Sequence, residues 1–241
     1  MQPRPPRAVA FLKPAAASAM KTFTLSLSVL LLTILAGCVS PSGTTQSTDP
    51  REAAPLAVLR SDASVQDKAR ACQQLADYAG PAAVPVLAGL LAHEQLGDYA
   101  RSGLESMADP AAGAALRSAL GRLRGRQLAG AINSLGVRRE AAAVPELRRF
   151  ALDTAGGPTA EAAVTALGLV ADAAAARALQ DVLSQGAVSV RLPAAHAALV
   201  AAERLGGSGG AAEARALLES LLRAVPAGPP AEAARRRLSA R

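Results

Sequence analysis

The sequence predicts an all-α fold, an α-solenoid of about five stacked helical hairpins. Three observations lead there. Apolar residues make up 51% of the 241 residues but aromatics only 2%, so Ala, Leu and Val carry the core, and the first two are strong helix formers. Sixteen prolines and twenty glycines punctuate the chain, which favours short helices. Two series of leucines recur in step, with a period near 31.

The first series lies near the end of the first helix of each unit: Leu75, Leu104, Leu135, Leu167 and Leu199, spaced 29, 31, 32 and 32 residues apart. The second belongs to the partner helix: Leu87, Leu116, Leu147, Leu179 and Leu217, spaced 29, 31, 32 and 38. The last spacing is long because Gly206-Gly207-Ser208-Gly209-Gly210 reads as an inserted loop. In the first unit Ala69, Cys72, Leu75 and Ala76 share one helical face, and Gly80-Pro81 breaks the helix. Val84, Leu87, Leu90 and Leu91 stripe the second helix, with Pro85 tolerated in its first turn. The stripe returns as Val144, Leu147, Phe150 and Ala151, and as Ala176, Leu179, Val182 and Leu183. Breaks between paired helices are expected near Asp109-Pro110, Gly136 and Asp172. Ala53 to Leu59 and Ala231 to Leu238 read as capping helices. A single hairpin of this size cannot bury its stripe, so neighbours must stack.

Ahead of the repeats, Met20-Lys21 opens a positively charged start, followed by the apolar run Phe23 to Ile34 and then Leu35-Ala36-Gly37-Cys38. A run of about a dozen residues is short of the ~20 needed to span a bilayer, and suits a signal segment. On Met20 to Cys38 the chain resembles bacterial prolipoproteins processed by signal peptidase II. The resemblance implies that residues 1–37 are a removed signal peptide, with 1–19 an over-extended start. It also implies that Cys38 is lipidated, as the first residue of a membrane lipoprotein on the periplasmic side. Val39 rather than Asp follows the cysteine, which leans the sorting toward the outer membrane. Residues 38–50 then read as the lipidated Cys and a Ser/Thr/Pro-rich tether with a mean reach of about 20 Å. The repeat domain covers 51–241.

The repeats themselves resemble HEAT repeats, in particular the phycobilisome-lyase-type HEAT-like repeats of bacteria. The resemblance rests on "DKARACQQLADYAGPAAVPVLAGLL" from Asp67, "AINSLGVRREAAAVPELRRF" from Ala131 and "AAVTALGLVADAAAARALQDVL" from Ala162. It implies a right-handed superhelix and covers about Val65 to Leu222. The second unit departs from the pattern, with Gly113 where the others carry Val or Ala.

The formal net charge is +7, but four basic residues precede Cys38. Without them 22 basic side chains face 19 acidic ones, a net of +3 typical of a soluble surface. With Cys38 lipidated, Cys72 has no disulfide partner and reads as a small core residue. His93 and His196, the only histidines, supply no metal-ligand spacing, so no metal and no cofactor are expected. Ser208 occupies the nucleophile position of a formal Gly-x-Ser-x-Gly. That motif needs a strand before it, and here an Ala-rich helix precedes, so the chain reads as a non-enzyme. Tyr78, Tyr99 and Phe150 are too few aromatics for base stacking, and an exported protein does not meet nucleic acid.

Arginines concentrate in the middle units: Arg117, Arg122, Arg124 and Arg126, then Arg138, Arg139, Arg148 and Arg149. They form either a positive patch for an acidic partner or solvated helix faces. One polar set stands against the apolar repeat grammar: Tyr99, Arg101 and Glu105 on one first helix, Asn133 on the next, and Arg138, Arg139 and Glu140 in the turn after it. These residues are either a partner-binding spot or a ladder of hydrogen bonds and ion pairs that fixes the stacking between units. The function expected is a scaffold or adaptor that binds another envelope protein. The alternative implied by the lyase resemblance is a chromophore- or small-molecule-handling protein.

Overall fold

The computed structural model describes residues 50–240; Cys38, the signal segment and the tether up to residue 49 lie outside them. The described chain is all-α, with twelve α-helices and no strand. After α1 (Ala53–Arg60) come α2 (Val65–Tyr78) and α3 (Val84–Leu90), α4 (Gly97–Ser106) and α5 (Pro110–Ala119), and α6 (Gly125–Val137) and α7 (Val144–Ala151). Then follow α8 (Pro158–Val170) and α9 (Ala173–Gln185), α10 (Val188–Gly207) and α11 (Ala211–Ala224), and α12 (Pro229–Ser239).

The helix starts are written in local chemistry. Ser64 Oγ accepts the Asp67 backbone N–H at 3.1 Å and donates to the Asp67 carboxylate at 2.7 Å, closing both ends of a capping pair. Asp109 caps α5 through the Ala111 N–H, with Pro110 in the first turn, and Asp172 caps α9 through the Ala175 N–H. Pro85, Pro145 and Pro158 also sit in first turns, where the missing donor costs nothing.

Helices two apart in the chain pack on one another: α2 on α4, α4 on α6, α6 on α8, α8 on α10 and α10 on α12. Their partners follow suit, α3 on α5, α7 on α9 and α9 on α11, and each partner helix also packs on the first helix of the next pair. The leucine series lie in this shared core. Leu75, Leu104, Leu135 and Leu167 are fully buried, and so are all five of Leu87, Leu116, Leu147, Leu179 and Leu217. Each contributes roughly 1.5–3 kcal/mol of burial.

Two local expectations are corrected. Leu199 is only half-buried, and its neighbour Ala198 takes the core position, so the true spacing in that unit is one residue shorter. The break expected near Gly136 is present, since α6 ends at Val137. Gly136 itself lies in the last turn of α6, where a Cβ would meet Ala166 Cα at 2.6 Å, and it is the contact that lets α8 approach. The glycine run is not an inserted loop from Gly206 onward. Helix α10 continues through Gly207 to a length of 20 residues, and the turn follows with Gly209 at φ +89°.

Cys72 is fully buried on α2, and burial pushes its thiol up to about 11. Such a thiol is inert packing, not a nucleophile. No helix of the described residues is long and apolar enough to cross a membrane.

Candidate functional site

Helix α4 presents Asp98, Arg101 and Glu105 toward α6, where Gly130 and Ser134 stand one turn apart. The two small residues open a channel for the arginine. A Cβ at Gly130 would lie 3.0 Å from Arg101 Nε and 3.1 Å from its Cδ, so the side chain lies directly across the α6 backbone. Its Nη1 donates to Ser134 Oγ at 2.8 Å and to Glu105 Oε2 at 3.2 Å, and Ser134 Oγ donates to the same Glu105 oxygen at 2.6 Å. Ser134 is fully buried, whereas Arg101 and Glu105 keep 25% and 29% of their side chains exposed. The triangle is thus shielded enough to be worth more than a surface ion pair. Asp98 adds charge from 3.9 Å and pairs with Arg126 of α6.

Arg138, just past the end of α6, reaches back one unit. Its guanidinium donates to the carbonyls of Leu104 at 2.8 Å, Glu105 at 3.1 Å and Asp109 at 2.9 Å, and to that of Met107. The Leu104, Glu105 and Met107 carbonyls are the last acceptors of α4 and its end, while the Asp109 carbonyl at the start of α5 also accepts the Ala112 N–H. A cation at a helix carboxyl end is electrostatically favoured as well. Beside it, the Glu140 carboxylate lies over Gly113, where a Cβ would overlap Oε2. Glycine at this position, where the other units carry Val or Ala, leaves room for that carboxylate.

The predicted set therefore divides. Arg101, Glu105 and Arg138 join in one inter-unit network with Ser134. Tyr99, Asn133 and Arg139 are exposed and take no part in it. Arg139 stands at φ 52°, the left-handed position that ends α6. Sequence reasoning missed Ser134 and Gly130; the available signal was their four-residue spacing, one repeat beyond Arg101.

The same device recurs along the chain. Ser106 Oγ donates to the Ala76 carbonyl at the end of α2, Arg204 Nη1 to the Leu169 carbonyl near the end of α8, and Arg237 to the Leu199 carbonyl of α10. Among the arginines of the middle units, Arg117 binds the Ala142 carbonyl, Arg122 the Ala88 carbonyl, and Arg148 Nε pairs with Asp181 at 2.7 Å. Much of the apparent basic patch is spent pinning one unit to the next. Ser208, at the formal nucleophile position, donates its hydroxyl to the Arg204 carbonyl at 3.0 Å and closes the end of α10.

Among the described residues no three His, Cys, Asp or Glu side chains gather where they could hold a metal ion. No protein-family model matches the chain, and no curated protein matches it either.

Proposed function

We propose that the protein is a membrane-anchored lipoprotein whose HEAT-like helical pairs form an α-solenoid, and that it serves as a scaffold or adaptor for another protein of the cell envelope. The lipobox ending at Cys38 supports the anchor. The packing of each helix on the one two positions ahead supports the solenoid, because a repeat that buries its stripe only against neighbours grows into an extended surface.

One observation carries the binding role. All six large apolar side chains exposed among the described residues stand on first helices of the pairs: Val65 on α2, Tyr99 on α4, Val137 on α6, and Val188, Leu192 and Val200 on α10. Helices α3, α5, α7, α9 and α11 carry none. A bias of exposed apolar mass to one row of helices marks a surface kept for contact. Tyr99 and Asn133, neither needed for packing, add the amphipathic and hydrogen-bonding groups that anchor protein partners.

The test is mild cross-linking in intact membranes followed by purification. A discrete protein partner is expected with the parent chain and lost from Tyr99→Ala combined with Val137→Ser, with helicity and melting unchanged. Equal recovery from both chains would refute this face as the docking surface. Labelled fatty acid should enter the parent protein and not Cys38→Ala; persistent labelling in that variant would remove the anchor.

A further inference from the structure

A groove of about 580 Å³ runs between α9 and α11 and is closed by the start of α10, next to the exposed Val188 and Leu192. Gln180, Asp181 and Ser184 line it from α9, Ser220 and Arg223 from α11, and Arg191 from α10. The two arginines differ from those of the middle units. Arg191 makes no hydrogen bond or ion pair among the described residues, and Arg223 donates only to the neutral Ser220 hydroxyl, at 2.7 Å. The acid in the groove is already neutralised from outside, since Asp181 Oδ2 accepts from Arg148 Nε at 2.7 Å. Two guanidinium groups without an acidic partner among the described residues therefore line one groove.

We propose that this groove binds a phosphorylated sugar, with Arg191 and Arg223 holding the phosphate. The guanidinium fork matches phosphate oxygens in a bidentate way, which makes arginine the side chain suited to that group. The groove has room for more than a bare anion, its volume being that of sites that take a small organic ligand. The α9 wall supplies what sugar hydroxyls need: the Gln180 amide offers both donor and acceptor, Asp181 Oδ1 is an open acceptor, and Ser184 Oγ accepts while donating to the Asp181 carbonyl. Nothing here depends on the apolar face proposed above as the protein-docking surface.

Calorimetric titration of the full chain in detergent tests this, with glucose 6-phosphate as probe and glucose and inorganic phosphate as controls. Glucose 6-phosphate is expected to bind, inorganic phosphate more weakly, and glucose not at all. Arg191→Ala and Arg223→Ala should each weaken glucose 6-phosphate binding about tenfold or more, the usual cost of losing a charge-assisted hydrogen bond. Both side chains are exposed, so helicity should not change. Arg139→Ala removes an equal charge elsewhere and should leave binding as it was. Vesicles of phosphatidylglycerol in phosphatidylcholine separate the sources: binding to them alone, abolished by the same two substitutions, would assign the phosphate to a lipid headgroup. Absence of binding to sugar phosphate and vesicles alike, or an equal loss in Arg139→Ala, would overturn the proposal.

Discussion

Between α4 and α6 the helices meet through long charged side chains; from α6 through α8 to α10 they meet backbone against backbone. In the first junction Arg101 lies over Gly130 and its charge is settled by Glu105 and Ser134. In the second, Gly136 sits on Ala166 and Gly168 on Ala197, with added Cβ atoms 2.6 and 3.0 Å from the facing Cα atoms. The same leucine core supports both. What differs is the volume at the seam, and the two seams fail in different ways: a polar seam through an unpaired group, a small-residue seam through overlap.

The largest expected effect strikes what the regions share. Leu147→Asp places an unpaired charge at a fully buried site and should cost about 4 kcal/mol or more, enough to unfold much of the array, as denaturant titration would record. Unchanged melting would mean that Leu147 is not in the core.

Next comes the contrast itself. Gly136→Ala and Gly168→Ala each force a methyl group onto rigid neighbours and should cost roughly 1–3 kcal/mol. Gly130→Ala makes a contact about as close as that at Gly168, yet the neighbour is the Arg101 side chain rather than backbone, and alanine improves helix propensity by up to ~1 kcal/mol. Its net effect should stay within about 1 kcal/mol. If all three lose stability equally, the two seams are not different in kind.

Smaller effects belong to the polar seam. Arg138→Ala should cost about 1–2 kcal/mol by leaving the Leu104 and Glu105 carbonyls of α4 without this donor, and Arg138→Lys should recover little, since one ammonium cannot span them. Ser134→Ala should cost a similar amount, because the buried ends of Arg101 and Glu105 lose their shared hydroxyl. Thermal melts of the two variants, and of Arg101→Met with Ser134→Ala together, would reveal the coupling.

The smallest change is the same in both regions. Arg139 after α6 and Ala171 after α8 hold φ values of 52° and 53°. A side chain there costs ~1–2 kcal/mol, partly offset by the greater freedom of glycine when unfolded. Arg139→Gly and Ala171→Gly should therefore each stabilise by less than about 1 kcal/mol. A loss at either site would show that its side chain makes a contact of more value than the strain.

The sequence by itself determined the all-α class, the positions of the helical pairs and the buried leucines. Those features are local: propensity, caps and a 3.6-residue stripe act within one or two turns, and their period can be counted. It also flagged Arg101, Glu105 and Arg138 as polar residues out of place, and Gly113 as a departure from the repeat. Their meaning was not local. Whether Arg101 faces solvent or lies across Gly130 depends on how α4 and α6 are set side by side, some thirty residues apart in the chain. Gly136 marked the end of α6 in the sequence; only the approach of Ala166 makes it a packing residue as well. Leu199 lost its place in the count to Ala198, a shift of one residue along α10 that only the packed helix reveals. Tertiary structure alone divided the arginines into those that pin neighbouring units and those, such as Arg191 and Arg223, that are left facing a groove. Charge can be read along a chain, but its compensation depends on distances across the fold.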